Sequence, residues 1–253
     1  KRGNKWFVST NVEYPARHVD IRSANGLSVS VVDENSGMLI DTVELNNAAF
    51  QVHSGAVYLN QGNTYVVKEL DLESRVAVVT PGDVPYYTVV DDFSSLKIIN
   101  SLHSKACGDS EVYFGEVEVT TSVISFKRKE QFTEKIIDRE PLDLPENIFS
   151  TFAFWFNIPD SLVGNIKAKH EDFEGGLHAL EHAMISMLPL FAMCDRNDIG
   201  GISTSFHSDT GKPQVFIYDA HPGGVGISEN GFHEIHALWK ETRSLVKNYS
   251  CIS

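Results

Sequence analysis

The hydrophobic pattern of the first half of the chain has a period of two, which is typical of half-buried strands. Residues 27–33 alternate, residues 35–37 carry a turn signal and residues 38–43 resume the alternation, which predicts a hairpin. Further strands are predicted at residues 56–59, 64–70, 75–79 and 86–90, and as two strands around Gly115 within residues 111–126. Residues 48–53 and 96–99 are too short to assign. Several short antiparallel strands close their edges most easily as a small barrel or curled sheet.

The pattern changes near residue 140, where Pro141 and Pro145 bracket an acidic stretch. Beyond it, the periods of the hydrophobic pattern predict a strand at 151–158 and a helix at 176–193, which Pro189 bends or ends. They then predict a hairpin with strands at 202–207 and 215–219, followed by a helix at 225–248. The helix at 176–193 is apolar on nearly every side, which predicts that it is buried all round.

These elements predict an α+β fold class, with an N-terminal antiparallel β-rich barrel-like domain followed by a β-α-β-β-α domain. We place the domain boundary at the change of pattern. Residues 1–145 are then a β-rich accessory domain, and residues 146–253 are an α+β domain.

Composition adds that the chain is globular, because 42% of its 253 residues are hydrophobic and 22% are charged. No run of about 18 apolar residues occurs and the first residues lack the apolar stretch of a secretory signal. We therefore expect no membrane partner and a cytoplasmic location. The three cysteines, Cys107, Cys194 and Cys251, are an odd number at wide spacing, which favours free thiols or metal ligands over a disulfide framework.

The charge balance limits contact with nucleic acid, since the formal net charge is −13. Non-specific DNA binding depends on Lys and Arg that neutralise phosphates, so any DNA contact must be local. The basic run Lys127-Arg128-Lys129 is interpreted as a solvated strand end rather than a phosphate contact. The sequence also has no phosphate loop, no dinucleotide fingerprint and no serine-hydrolase elbow. The chain by itself is therefore not expected to be a motor or an enzyme.

One motif points to metal chemistry. His178, Glu181 and His182 match the pattern His-x-x-Glu-His, which on a helix places both imidazoles on one face beside a carboxylate. Such a pair can bind zinc with Glu181 as a base, and a zinc-dependent hydrolase is our alternative function. A third ligand is needed, and the candidates are Glu229, Glu234, His221, His233 and His236. The other interpretation is that the three side chains hydrogen-bond to each other or to the backbone in a packed helix.

A second motif is the glycine-rich turn that follows the strand at 215–219. Gly223, Gly224 and Gly226 can arrange backbone N–H groups into a nest before a helix, which suits a phosphate or carboxylate. These residues are our candidates for anion or DNA contact. Such turns also need glycine for purely structural reasons, so both interpretations stay open.

Two sets of short sequence segments resemble a known protein family. YPAR (14–17), VDIRS (19–23), HSGAVYLNQG (53–62) with Tyr65, and ELDL (69–72) resemble the segment after the second motor domain of MrfA-type DEAD/DEAH-box helicases, which belong to superfamily 2. GLHALEHA (176–183), DIGG (198–201), FIYD (216–219) and PGGVG (222–226) resemble the zinc-binding domain at the C-terminus of those helicases. The resemblance covers most of the chain.

The resemblance implies an accessory region of a 3′-to-5′ DNA-translocating ATPase implicated in DNA repair. Its motor domains would lie in the same polypeptide and would hold ATP and Mg, while this region guides or separates DNA. The family closes its domain with a four-cysteine zinc cluster; Cys194 matches the first position and Cys251 one of the later group. The other cysteines are absent here, so the zinc site is expected to be incomplete in this chain. A pure protein-interaction module is a third hypothesis.

Overall fold

Strands form most of the first half of the computed structural model, which describes residues 27–248 of the chain. The strands are β1 (Ser28–Asp33), β2 (Leu39–Glu44), β3 (Val57–Asn60), β4 (Asn63–Asp71), β5 (Val76–Pro81), β6 (Tyr86–Cys107), β7 (Ser110–Glu130), β8 (Ile136–Pro141), β9 (Asn147–Asn157), β10 (Ile199–Thr204) and β11 (Gln214–Asp219). The helices are α1 (Leu45–Gln51), α2 (Asp160–Ala168), α3 (Phe173–Met187), α4 (Pro189–Ala192), α5 (Ile227–His233) and α6 (Ile235–Asn248). Within residues 27–248, no helix combines the length and apolarity needed to cross a membrane.

Contacts within the chain separate two compact units. Among the described residues, unit 1 contains residues 27–93 and 122–147, and unit 2 contains residues 94–121 and 148–248. The long strands β6 and β7 therefore contribute residues to both units. The predicted domain boundary after residue 145 stays a prediction.

Unit 1 is built on a curled five-stranded sheet with the order β2-β1-β5-β4-β3. Strands β1 and β5 are parallel, whereas β1 and β2, β3 and β4, and β4 and β5 pair antiparallel. The alternation in the sequence sets which side chains face the core: Val29 and Val31 of β1 are fully buried, and so are Ala77 and Val79 of β5. The predicted hairpin of β1 and β2 and the predicted β-rich, barrel-like first half are confirmed.

Unit 2 contains most of a second sheet, whose strand order is β10-β11-β9-β7-β6. Strand β8 extends this sheet by pairing with β7. Every residue of β11 is buried, because this strand has β9 on one side and β10 on the other and both of its faces are covered. On β9, Phe154 and Phe156 join the core that includes Met184 and Leu188. Trp155 points to the opposite face, where it stacks on other aromatic rings. The predicted α+β character of the second half is confirmed.

The predicted pair of strands around Gly115 is wrong. Residues 110–130 form a single strand, β7, that runs through Gly115. A Cβ atom at this position would overlap the carbonyl oxygen of Asn100 on β6. The glycine therefore permits a close approach of two backbones and is not a turn.

The predicted helices also need correction. Helix α3 is not buried all round, because Glu174, Gly176, His178, His182 and Ser186 form an exposed face. Pro189 ends its regular part, as predicted, and starts the short helix α4. The last helix is interrupted at Glu234 and consists of α5 and α6. Helix α1 covers residues 48–51 of the unassigned segment 48–53, β6 covers the unassigned segment 96–99, and α2 was not predicted.

Candidate functional site

The exposed face of α3 carries the predicted His-x-x-Glu-His motif. His178 and His182 lie one turn apart, and their Nε2 atoms are 3.0 Å from each other. The two rings meet edge to face, with centroids 4.3 Å apart. The helical spacing therefore brings both imidazoles to one point on the surface, as the sequence predicted.

Glu181 of the motif is held from the inside of unit 2. Its side chain is buried, and Oε2 accepts a hydrogen bond of 2.6 Å from the hydroxyl of Ser203 on β10. The same oxygen lies 3.5 Å from Nδ1 of His178. A Cβ atom at Gly201 would overlap the Glu181 side chain, so a glycine in β10 gives the carboxylate its place. The carboxylate therefore supports His178 from its Nδ1 side.

Arg196 completes a chain of polar contacts around the motif. Its guanidinium lies 3.4 Å from Nδ1 of His182. Because a guanidinium can only donate, Nδ1 of His182 accepts in this arrangement and its Nε2 carries the proton towards His178. These contacts give the side chains of the motif polar partners among themselves and with Arg196. Mutual contact of this kind was one of the two interpretations of the motif.

The motif is also a group of potential metal ligands. Within residues 27–248, His178, Glu181 and His182 form the group of three whose ligand atoms all lie within 4.8 Å of one another. None of the five candidate third ligands joins it. His236 instead has its Nδ1 3.2 Å from the sulfur of Cys107, and His221 has its Nε2 2.9 Å from a carboxylate oxygen of Asp198.

Cys194 follows α4 and packs against the core of unit 2. Burial, together with the carboxylates of Asp198 and Asp219, raises the pKa of its thiol above the usual value. A zinc ligand is a thiolate, so this environment does not by itself prepare Cys194 for metal. Cys251 lies outside the described residues. The described residues thus do not supply the cysteine set that the resemblance implies for a zinc cluster.

The glycine turn surrounds an anion that belongs to the chain itself. The fully buried carboxylate of Asp219, at the end of β11, accepts hydrogen bonds from four backbone N–H groups at distances of 2.6–3.3 Å. The donors are Val225, Gly226, Ile227 and Ser228. Gly223, Gly224 and Gly226 have φ angles of 80°, 70° and 88°, which lets the chain wrap around the carboxylate. The nest predicted from the sequence exists, and Asp219 occupies its donors.

A cavity of about 310 Å³ lies beside this turn in unit 2. Leu102, His103, Phe114, Phe152 and the three glycines line it together with Glu229. Lys105, on the same strand as His103, lies 4.5 Å from the centroid of the Phe232 ring and donates to the carbonyl oxygen of His233. This cavity could not be predicted from the sequence, because the pattern of β6 is clear only over its first residues and does not place His103 and Lys105 on the strand.

The basic run in unit 1 is paired with carboxylates. Lys127 forms an ion pair with Asp91 at 2.5 Å. Arg128 contacts Asp138 at 2.9 Å and Glu140 at 2.8 Å. Lys127 and Arg128 are therefore partly neutralised within unit 1, and they are half-buried near the end of β7 rather than solvated as predicted.

The sequence of the chain is similar to those of known helicases and of one described domain family. Residues 180–253 match the family described as the MrfA Zn-binding domain. The chain is 30% identical over 255 residues to YprA of Bacillus subtilis, described as an uncharacterized ATP-dependent helicase, and the match covers 99% of this chain and 33% of YprA. It is 28% identical over 255 residues to the ATP-dependent helicase HRQ1 of Saccharomyces cerevisiae, and that match covers 94% of this chain and 23% of HRQ1.

Solved structures agree with these relatives. The crystal structure of the DUF1998 helicase MrfA bound to DNA superposes with a TM-score of 0.65 at 28% sequence identity, over 94% of this chain and 32% of that one. A second crystal structure, of MrfA bound to DNA and AMPPNP, gives a TM-score of 0.61 at 26% identity, over 100% of this chain and 32% of that one.

Fold and matches together define a class, the C-terminal region of a helicase. Within that class the chain is similar to the MrfA-type helicases over nearly its whole length, which confirms the resemblance seen in the sequence. It spans about a third of the length of YprA and about a quarter of that of HRQ1. The zinc-hydrolase alternative is not favoured, because the relatives named here are helicases and Glu181 is buried on the Nδ1 side of His178.

Proposed function

We propose that this chain is a non-catalytic accessory region of an ATP-dependent DNA helicase and that it guides or separates DNA strands while the motor domains of the same polypeptide translocate. The observation that carries the proposal is the match to YprA, which covers nearly the whole chain but only a third of the helicase. The missing phosphate loop supports it, because ATP would then be hydrolysed elsewhere in the parent protein. The crystal structure of MrfA bound to DNA supports DNA as the partner. A role in DNA repair and a cytoplasmic location are part of the proposal.

The DNA contact is proposed at the glycine turn, Gly223, Gly224 and Gly226, and the cavity beside it. Because Asp219 already accepts from the backbone donors of the turn, a phosphate would be held mainly by side chains nearby. Lys105 is a cation on β6, the strand that contributes Leu102 and His103 to the cavity. Most backbone contacts along the DNA would come from the motor domains, which fits the acidic charge of this region.

Deleting residues 1–253 from the parent helicase tests the role directly. We expect ATP hydrolysis to persist in the deletion variant and strand separation to fall sharply, because the motor is retained and the guide is lost. The isolated chain should hydrolyse no ATP and bind DNA no more tightly than the micromolar range at about 150 mM salt. Sub-micromolar binding by the isolated chain, or full unwinding by the deletion variant, would contradict the proposal.

Zinc is the cofactor proposed for the parent protein, since the matching family is described as zinc-binding. Cys194 and Cys251 would contribute thiolates, with the remaining ligands drawn from outside this chain. Bound zinc would tie the end of α4 to the C-terminal segment and so hold the fold together. Metal analysis of the parent with Cys194→Ser tests this, with loss of about one zinc per molecule expected and unchanged zinc as the contrary result.

A further inference from the structure

The His-x-x-Glu-His motif has no role in the proposed function, yet its geometry is that of a metal-binding pair. Two ligand nitrogens of a tetrahedral zinc ion, each at 2.0–2.1 Å, lie about 3.3 Å apart. The Nε2 atoms of His178 and His182 are 3.0 Å apart. A small rotation of two exposed side chains would therefore give both nitrogens a shared metal ion.

The support behind His178 favours the tautomer that a metal requires. The Glu181 carboxylate lies 3.5 Å from Nδ1 of His178 and is itself fixed by Ser203. The negative charge on that side favours the proton on Nδ1, and a small rotation of the exposed ring would bring Nδ1 within hydrogen-bond distance and leave the lone pair of Nε2 free. This arrangement of carboxylate, imidazole and metal is common in protein metal sites. Glu181 thus acts as a positioning residue and not as a ligand.

We propose that His178 and His182 form a two-imidazole site for a divalent transition-metal ion on the exposed face of α3, with water completing the coordination. Imidazole nitrogen suits zinc, nickel and copper ions, whereas magnesium and calcium prefer oxygen ligands. The site is separate from the thiolate cluster proposed at Cys194 and does not depend on the helicase role. Affinity for nickel is expected to exceed that for cobalt, following the general order of divalent metals.

Arg196 competes with the metal for His182. Its guanidinium donates towards Nδ1 of His182, which places the proton of that ring on Nε2. Metal binding needs the proton on Nδ1, so Arg196 must turn away, and its exposed side chain is able to do so. Removing this cation should strengthen binding, because both a competing donor and a like charge disappear.

Titration of the 253-residue chain with Ni²⁺ and with Zn²⁺, against a chromophoric indicator, tests the proposal. His178→Ala and His182→Ala should each raise the dissociation constant more than tenfold, and both variants should fold because the two side chains are exposed. Glu181→Gln should raise it by about 10–100-fold. Arg196→Ala should lower it. His170→Ala, which removes another exposed imidazole of unit 2, is the matched control and should change nothing.

Circular dichroism of each variant separates loss of a ligand from loss of the fold. Unchanged affinity in the His178→Ala/His182→Ala double variant would overturn the proposal. The absence of saturable binding to the original chain would do the same. A Cys194→Ser variant that binds both metals like the original chain supports the site, whereas loss of binding on that substitution alone would assign the metal to the cysteine.

Discussion

The two units differ in what they bury. The core of unit 1 consists mainly of small aliphatic side chains such as Val29, Val31 and Ala77. Among the described residues of unit 1, His53 is the one ionisable side chain that is fully buried. Unit 2 buries aromatic rings on both faces of its sheet, and it also buries the carboxylates of Glu181 and Asp219. Apolar packing thus holds unit 1 together, whereas unit 2 also depends on polar groups inside the fold.

This difference indicates where a change in sequence has consequences beyond packing. A buried carboxylate is stable only where donors surround it, so each one fixes the position of several other groups. Asp219 fixes the glycine turn, and Glu181 is bonded to Ser203 of β10 and lies beside the exposed ring of His178. The candidate sites of the chain therefore lie in unit 2, and substitutions in the two units should differ in size and in pH dependence.

Removing the Asp219 carboxylate should have the largest effect. Asp219→Ala leaves four backbone N–H groups without their acceptor, two of them on the buried residues Ile227 and Ser228. We expect unfolding of unit 2 to require about 3–5 kcal/mol less free energy. Urea unfolding of a Trp6→Phe chain, followed by the fluorescence of Trp155 and Trp239, both in unit 2, measures the loss.

Two further variants control this experiment. Asp219→Asn keeps one acceptor oxygen and should cost less than Asp219→Ala. Asp160→Ala removes an exposed carboxylate of the same unit and should cost almost nothing. Equal, small losses for Asp219→Ala and Asp160→Ala would mean that water replaces the carboxylate in the turn.

A pair of glycines in unit 1 tests its packing. Gly55 and Gly62 have φ angles of 85° and 81°, so alanine is strained equally at both. The two positions differ in the space available for a side chain. A Cβ at Gly55 would lie 2.8 Å from Cζ of Phe126, whereas nothing lies within 4 Å of a Cβ at Gly62. We expect Gly62→Ala to cost about 1 kcal/mol and Gly55→Ala about 2–4 kcal/mol.

Hydrogen exchange of the β4 and β5 amides reports the stability of unit 1 in these variants. Combining Gly55→Ala with Phe126→Leu should restore part of the loss, because the smaller side chain removes the overlap. If Gly55→Ala and Gly62→Ala cost the same, backbone strain alone explains both and the packing of unit 1 is looser than the structure indicates.

His53 gives unit 1 a smaller, pH-dependent effect. Burial lowers the pKa of this imidazole below its ordinary value of 6.5. As pH falls below 6.5, the unfolded chain takes up a proton here and the folded chain does not, so stability falls until the pH passes the folded pKa. The protection factors of the β4 and β5 amides, which correct for the intrinsic slowing of exchange at lower pH, should therefore fall between pH 7 and the folded pKa.

His53→Gln should be less stable at pH 7 but should lose this additional pH dependence, because no titrating group remains at the position. The amides of unit 2 provide an internal reference in the same experiment. An unchanged pH profile in His53→Gln would assign the effect to other groups.

The sequence predicted most elements because their patterns are local. The β1–β2 hairpin follows from alternation and a turn signal, and the end of α3 follows from Pro189. Gly115 misled the prediction, since glycine marks both turns and close backbone contacts, and only the partner strand distinguishes them. The amphipathic face of α3 was missed because the apolar Ala179 is exposed beside the two histidines.

The candidate sites show the same limit. The spacing of His178 and His182 was sufficient to predict that they meet, because both lie on one helix. Ser203 donates to Glu181, and the N–H groups of the glycine turn donate to Asp219. Both contacts depend on the register of the sheet, which the hydrophobic pattern of the sequence does not give. Both sites were therefore located from the sequence, but their polar partners were not.

The smallest effect is expected at Arg128 of unit 1. Its guanidinium contacts Asp138 and Glu140, whose side chains are 47% and 51% exposed, and lies 5.1 Å from the centroid of the Phe126 ring. Ion pairs with such exposed partners are worth about 0–1 kcal/mol, so Arg128→Gln should lower the stability of unit 1 by less than about 1 kcal/mol. In the parent helicase the same substitution should leave the salt dependence of DNA binding unchanged, since the cation is engaged by carboxylates. A change of about one in the slope of log affinity against log salt concentration would instead identify Arg128 as a phosphate contact and place part of the DNA path on unit 1.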